Sequence, residues 1–115
     1  MKIDNESVAV YSYIDYNELK SKSYPYHEAL VPLKDWCEYN RKYTYNVYLD
    51  VEERGALREL LKDAKASKFE SVIVINLKIL ANTSKEAKSI AKVLNSYGVS
   101  IKVINRNKKE SKHIL

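Results

Sequence analysis

The sequence has very few of the residues from which phosphate loops, disulfide frameworks and zinc sites are built. Two glycines in 115 residues exclude a glycine-rich phosphate loop of the GxGxxG or P-loop kind. A single cysteine, Cys37, excludes an internal disulfide framework and a cysteine cluster for zinc. His27 and His113 lie far apart, with no cysteine or acid at ligand spacing. The residues therefore predict neither a cofactor nor a metal.

Long apolar runs are also missing. No stretch approaches the length that spans a membrane, and the first residues carry no apolar core of a signal peptide. We therefore expect a cytoplasmic protein with no membrane partner.

Apolar periodicity predicts four strands that alternate with three helices in one domain. The strands are predicted at residues 8–14, 43–50, 72–75 and 99–104. The first helix is predicted at about residues 26–39, after a polar loop, and Pro32 is expected either to kink or to start it. Glu52 and Glu53 are expected in the first turn of the second helix. Thr83 and Glu86 form a capping box for the third, which should stop at Gly98.

This alternation predicts the fold class α/β: a single three-layer domain with a mostly parallel four-stranded sheet flanked by helices. Chemistry in such folds lies just past the carboxyl ends of the strands. After the third strand, that position holds groups that are poorly suited to catalysis: Asn76, Leu77, Lys78, Ile79 and Asn82.

Positive charge is concentrated at the end of the chain. The net charge is +5, and the last eleven residues contribute +3 of it. We therefore predict a domain at residues 1–104 and a basic C-terminal tail at residues 105–115. Such a tail is usually just solvated, but it also suits weak, non-specific contact with DNA phosphates. Its candidate DNA contacts are Arg106, Lys108, Lys109 and Lys112.

Four segments, at residues 11–15, 54–61, 77–82 and 98–101, follow a known pattern in order and spacing. Residues 11–15 align with the pattern Tyr-x-Arg-x-Ser, and residues 54–61 match the pattern Arg-x-x-Leu-x-x-Leu-Leu. Residues 77–82 align with the pattern Leu-Asp-Arg-Leu-x-Arg. Through them, residues 8–104 resemble the N-terminal catalytic domain of the serine recombinases, the resolvase/invertase family. The resemblance implies a resolvase-like fold and a link to DNA recombination or mobile elements.

The resemblance also implies that the catalytic positions have changed. The family's strand-end arginine falls on Tyr13 and its nucleophilic serine on Asp15. Its Asp-Arg pair falls on Lys78 and Ile79, and its next arginine on Asn82. Only Arg54 keeps the expected type, and the link before it is shorter than in the family and lacks a Ser-Gly.

A serine recombinase attacks a phosphodiester with a hydroxyl while guanidiniums stabilise the developing charge. A carboxylate at Asp15 would repel the phosphate, and Ile79 and Asn82 cannot form a bidentate clamp. We therefore predict a pseudoenzyme that acts through protein contact, weak DNA contact, or both.

In the family, a long dimer-forming helix follows the fourth strand, where this sequence has only residues 105–115. The expectation is a monomer or weak dimer, whose partner is an active recombinase or another protein. Nine of the ten tyrosines precede residue 49, a pattern that suits either a protein-contact surface or ordinary core and strand positions.

Two alternatives stay open. Asp15 and Asp50 end successive strands and could bind Mg²⁺ in a nuclease-like enzyme, although loop aspartates usually cap helices. The chain could also be a plain protein-interaction module on the same fold.

Overall fold

A computed structural model of the chain describes residues 6–105 and 110–114; for residue 105 and residues 110–114 it describes the backbone alone. Five strands form one sheet in the order β2-β1-β3-β4-β5. The first four are parallel, as predicted, whereas β5 runs antiparallel to β4 and was not predicted. The strands are β1 Ser7–Ile14, β2 Tyr43–Val51, β3 Ser71–Val74, β4 Ser100–Asn105 and β5 Glu110–Ile114.

Helices cover both faces of the sheet, which confirms the three-layer α/β architecture. They are α1 Tyr16–Ser21, α2 Pro25–Tyr39, α3 Gly55–Lys65 and α4 Ser84–Ser96, with a 3₁₀ helix at Leu77–Leu80. None of the helices in the described part of the chain is long and apolar enough to cross a membrane.

Three local predictions need correction. The polar loop predicted after β1 contains α1, because Asp15 and Glu18 form a reciprocal capping box. Of the two alternatives for Pro32, a start of α2 at this residue is wrong, because Pro32 lies inside the helix, which begins at Pro25. Glu52 and Glu53 precede α3 rather than forming its first turn, because Glu52 takes a left-handed conformation, with φ of 69°.

The predicted ends of α4 are confirmed, although the capping box is incomplete, because the Glu86 carboxylate accepts from the Thr83 hydroxyl and not from its backbone N–H. The Thr83 side chain accepts a hydrogen bond from the backbone N–H of Glu86 and caps the helix. Gly98 follows the helix with φ of +80°, a conformation that a glycine adopts without strain.

Side chains of β1 alternate between two apolar clusters, so the strand lies in the centre of the molecule. Ala9 and Tyr11 join the cluster beneath α3 and α4. Val8 and Val10 join the cluster beneath α2, where Cys37 is also buried as a small apolar residue. Burial raises the pKa of the Cys37 thiol, so it stays protonated at neutral pH.

The amino end of the sheet is held together by Glu6. Its carboxylate accepts hydrogen bonds from the Lys102 ammonium at 2.6 Å and from the Ser71 hydroxyl, and it lies 3.0 Å from the Lys42 ammonium. Glu6, which directly precedes β1, therefore connects the residue before β2 to strands β3 and β4. The opposite, carboxyl end of the parallel strands is open and carries the candidate site.

Candidate functional site

A cleft of about 510 Å³ lies at the carboxyl ends of the parallel strands. The six positions implied by the resemblance all line it, although they come from the end of β1, the N-caps of α1 and α3, and the segment after β3. They are Tyr13, Asp15, Arg54, Lys78, Ile79 and Asn82. The structure therefore brings together residues that are separated by up to 69 positions in the sequence.

Arg54 is the central side chain of the cleft, and its guanidinium is occupied by the protein itself. Nη1 donates to the Tyr11 hydroxyl at 3.1 Å and to the backbone carbonyl of Ile79. Nη2 donates to Asn82 Oδ1 at 3.2 Å. The guanidinium carbon also lies 3.8 Å from the centre of the Tyr13 ring, in a cation–π contact. Arg54 thus joins β1 to the segment that follows β3.

The Asp50 carboxylate connects Tyr11 to the beginning of α3. Its carboxylate accepts from the Tyr11 hydroxyl at 2.8 Å, and from the backbone N–H groups of Ala56 at 2.7 Å and Leu57 at 2.9 Å. Those two N–H groups belong to the first turn of α3, so Asp50 caps this helix. Burial and the Asp50 carboxylate raise the pKa of Tyr11, which therefore stays a neutral donor.

Asp15, at the position where the resemblance places the nucleophile, also caps a helix. Its side chain accepts from the backbone N–H of Glu18 at 2.7 Å, and its own N–H donates to Glu18 Oε1 at 3.3 Å. The two aspartates of the Mg²⁺ alternative are thus both engaged at helix N-termini. Within residues 6–105, no three His, Cys, Asp or Glu side chains are grouped so that they could hold a metal ion.

The charges that line the cleft are balanced. Lys22 lies 3.5 Å from Glu18 and 3.6 Å from Glu28, and so bridges two of the acids. The acids of the lining are Asp15, Glu18 and Glu28, and the bases are Lys22, Arg54 and Lys78. A phosphate would therefore meet as many carboxylates as cations.

Tyr13 also brings a hydroxyl to the cleft. The Tyr13 hydroxyl donates to the backbone carbonyl of Glu52 at 3.0 Å. Burial and the neighbouring Glu52 carboxylate raise the pKa of Tyr13, so the phenolate needed for nucleophilic attack is disfavoured.

Sequence reasoning identified the lining positions but missed Tyr11 as the partner of both Asp50 and Arg54. Tyr11 and Tyr13 are two residues apart in one strand, so their side chains share a face. Tyr13 is paired in register with Asp50. The two-residue spacing of Tyr11 and Tyr13 could have indicated that Tyr11 contacts Asp50 and Arg54. To use it, however, one would have to know how β1 pairs with β2.

The predicted DNA contacts of the tail lie mostly beyond the described part of the chain. Arg106, Lys108 and Lys109 lie outside it. Lys112 belongs to β5, where its backbone is paired with Val103.

Solved catalytic domains share this fold. The N-terminal catalytic domain of TP901-1 integrase matches with a TM-score of 0.73 and 18% identity, covering 92% of this chain and 82% of that one. A resolvase family site-specific recombinase from Streptococcus pneumoniae gives 0.75 and 18%, covering 94% and 76%. The C-terminal catalytic domain of ISC1926 TnpA, an IS607-like serine recombinase, gives 0.74 and 14%, covering 90% and 73%. At these identities the likeness establishes the fold.

No curated protein sequence gives a significant match. The family model described as the resolvase N-terminal domain matches residues 23–114, which is well over half of the chain. The matched span contains Arg54, Lys78, Ile79 and Asn82, and it begins after β1. This chain therefore belongs to the resolvase N-terminal domain family, the serine recombinase catalytic domains of DNA recombination.

Proposed function

We propose that this domain does not catalyse DNA strand exchange and acts instead through contact with a protein partner, through weak DNA contact, or through both. The observation that carries the proposal is the state of Arg54. Its guanidinium is bound to Tyr11, Ile79 and Asn82 and is stacked on Tyr13. A phosphate that approached Arg54 would therefore compete with these contacts within the protein.

The residue at the nucleophile's position supports the proposal independently. Asp15 offers a carboxylate rather than a hydroxyl, and that carboxylate caps α1. An ionised carboxylate next to a phosphodiester raises the barrier to attack through electrostatic repulsion. Among the described residues that line the cleft, Arg54 is the one guanidinium that could stabilise the transition state, and Asp15 provides no hydroxyl to attack.

The direct test is a search for a covalent protein–DNA adduct. The chain is incubated with supercoiled plasmids carrying candidate recombination sites, then denatured, and the DNA is examined for attached protein and for strand breaks. An active serine recombinase with its own site serves as the positive control. We expect neither adduct nor breaks, and an adduct on any residue of this chain would overturn the proposal.

Asp15→Ser is an informative variant for the same assay. Serine is as good an N-cap as aspartate, so α1 and the fold should be kept. We expect no adduct from this variant either, because the guanidiniums around the phosphate are still missing. An adduct that forms on the introduced serine, and only in the variant, would show that the nucleophile alone separates this domain from an active enzyme.

A protein partner is favoured by the tyrosines near the cleft. Tyr16, Tyr24 and Tyr26 are 55%, 71% and 50% exposed, and they are adjacent in sequence to the cleft residues Asp15 and Pro25. Exposed tyrosines of this kind are enriched in protein interfaces. We propose an active recombinase as the partner, with this domain blocking or biasing its assembly.

The partner hypothesis is tested by titrating the chain into a recombination reaction run by a serine recombinase from the same cell. We expect inhibition or a changed product ratio, weakened in a Tyr24→Ser, Tyr26→Ser double variant. Tyr39→Ser is the control, since it removes another exposed tyrosine from the far end of α2. An unchanged reaction at saturating protein would rule out this partner.

A further inference from the structure

The outer surfaces of α3 and α4 carry two rows of basic side chains. Each row has three exposed cations spread over eight residues, at spacings of three and four that place them on one flank of the helix. The α3 row is Arg58, Lys62 and Lys65, and the α4 row is Lys85, Lys88 and Lys92. These six residues are named here the α3–α4 face.

The two rows belong to one surface because both helices cover the same side of the sheet. Leu57 and Leu60 of α3 share an apolar cluster with Ala87 and Leu94 of α4. A shallow groove that contains Leu57 and Ile90 lies between their N-terminal halves. Packed helices lie about 8–10 Å apart, so the rows are neighbours on the surface.

The cations of the α3–α4 face are available for a ligand. No ion pair within residues 6–105 involves any of the six. Two of the three carboxylates on these helices have other partners: Asp63 accepts from the Tyr48 hydroxyl at 2.6 Å, and Glu86 from the Thr83 hydroxyl at 3.1 Å. Glu59 is the third.

The opposite layer has the reverse balance. Helices α3 and α4 together carry six basic and three acidic residues, whereas α1 and α2 carry two Lys and four acidic residues. The positive charge of the described domain is thus concentrated on one face rather than spread evenly. An even distribution is what solubility alone would favour.

We propose that the α3–α4 face binds the phosphate backbone of duplex DNA without sequence specificity. Each row extends for about 10 Å, at 1.5 Å per helical residue. The cations of each row can therefore contact neighbouring phosphates of the DNA backbone. This inference rests on the proposed function, since it locates the weak DNA contact on the folded domain.

The test is fluorescence anisotropy of the full chain with unrelated 20-base-pair duplexes, measured between about 50 and 200 mM salt. For the unaltered chain we expect a Kd on the order of 10⁻⁴–10⁻⁶ M. A Lys85→Gln, Lys88→Gln, Lys92→Gln variant should bind at least tenfold more weakly. Its log–log salt slope should fall by about 2 to 3, at about 0.9 per lost phosphate contact.

A matched control removes the same charge elsewhere. The Lys20→Gln, Lys34→Gln, Arg41→Gln variant lowers the net charge by the same three units but leaves the α3–α4 face intact. We expect less than a twofold change in its affinity. Equal weakening of both variants would mean that only net charge matters and would overturn the proposal. Circular dichroism and thermal melts verify that both variants fold.

A third variant distinguishes DNA binding by the basic tail from DNA binding by the α3–α4 face. It carries Arg106→Gln, Lys108→Gln and Lys109→Gln, and it leaves the residues of β5 unchanged. Loss of binding in this variant alone would place the DNA contact on the tail and overturn the proposal, as would undetectable binding by the unaltered chain. Binding to vesicles containing phosphatidylserine in preference to duplex DNA would likewise overturn it, by assigning the face to lipid. An adduct in the strand-exchange assay would instead overturn the proposed function, whichever variant binds DNA.

Discussion

The Tyr11 hydroxyl donates a 2.8 Å hydrogen bond to Asp50, joining the central strand to its neighbour directly beneath the cleft. Tyr11 is fully buried and Asp50 is 6% exposed, so neither group can exchange this bond for water. The same carboxylate caps α3, and the same hydroxyl accepts from Arg54. One pair of residues therefore connects the sheet, a helix N-terminus and the main cation of the site.

Removal of the Tyr11 hydroxyl tests this connection. Tyr11→Phe leaves the buried Asp50 carboxylate with one donor fewer, and hydrogen bonds to charged groups contribute about 1.5–3 kcal/mol. We expect the free energy of unfolding, measured by urea denaturation, to fall by about that amount.

Tyr13→Phe is the matched control, because it removes a hydroxyl from the same strand that bonds only to the backbone carbonyl of Glu52. We expect a loss of about 1 kcal/mol or less, as for an ordinary neutral hydrogen bond. Equal losses in the two variants would show that Asp50 is not the reason for the importance of Tyr11.

Arg54 is expected to hold the segment after β3 in place. Arg54→Lys keeps the charge but loses the fork that reaches Ile79 and Asn82 together. Hydrogen exchange should become faster at the amides of residues 77–82, with little change in β1. Arg58→Lys, one turn further along α3, is the control and should leave exchange unchanged. Unaltered protection in Arg54→Lys would mean that the 3₁₀ helix is held by its apolar contacts alone.

The parallel sheet could be predicted from the sequence because its strands show either a short β-branched run, as in the fully buried β3, or an alternation of apolar and polar residues, as in β2. The lining of the site could be predicted because a resemblance placed Arg54 and Asn82 in matching positions. The contacts between them could not, since they depend on side-chain geometry across three elements. The family match shows the relationship, while the loss of catalysis stays a prediction.

Two elements escaped prediction for different reasons. The six-residue helix α1 has no buried residues, so it has no apolar periodicity, and only its capping box indicates it. Strand β5 lies in a segment dominated by charge, which favours a tail. Backbone pairing with β4 outweighs that local preference. A local capping box therefore decides the structure of α1, whereas tertiary context decides that of β5.

Stability should depend on Glu6 in acid. Burial alone would raise the pKa of Glu6, but hydrogen bonds from Lys102, Ser71 and Lys42 outweigh it and lower the pKa from 4.5 to about 2. Because the folded pKa lies below the unfolded one, the contribution is complete above about pH 5 and is lost as the pH falls towards 2. After allowance for solvent screening, we expect it to be about 1–2 kcal/mol.

Glu6→Gln should therefore reduce the free energy of unfolding by about 1–2 kcal/mol at pH 7, with the difference shrinking below about pH 4. Urea denaturation at several pH values measures it. Glu70→Gln is the control, since Glu70 is exposed and its carboxylate accepts a long, 3.3 Å bond from the backbone N–H of Ser7. A pH-independent difference for Glu6→Gln would mean that its contacts act through packing rather than charge.

Self-association of the chain should be weak, because the features of its β2 edge oppose strand pairing. β2 lies at one end of the sheet, and its ladder with β1 contains an irregularity around Tyr45. The backbone N–H of Val47 donates to the side chain of Asn46 at 2.9 Å. Bulges and side chains of this kind protect edge strands from pairing with another copy.

Sedimentation velocity at micromolar concentration should therefore show a monomer or a weakly associating dimer. Asn46→Ala should increase association, because it frees the Val47 N–H to pair with a strand of another copy. Asn95→Ala, on the exposed surface of α4, is the control and should leave association unchanged. A tight dimer of the unaltered chain would contradict the prediction and would point to the exposed tyrosines Tyr43 and Tyr45, which lie on the same strand, as an interface.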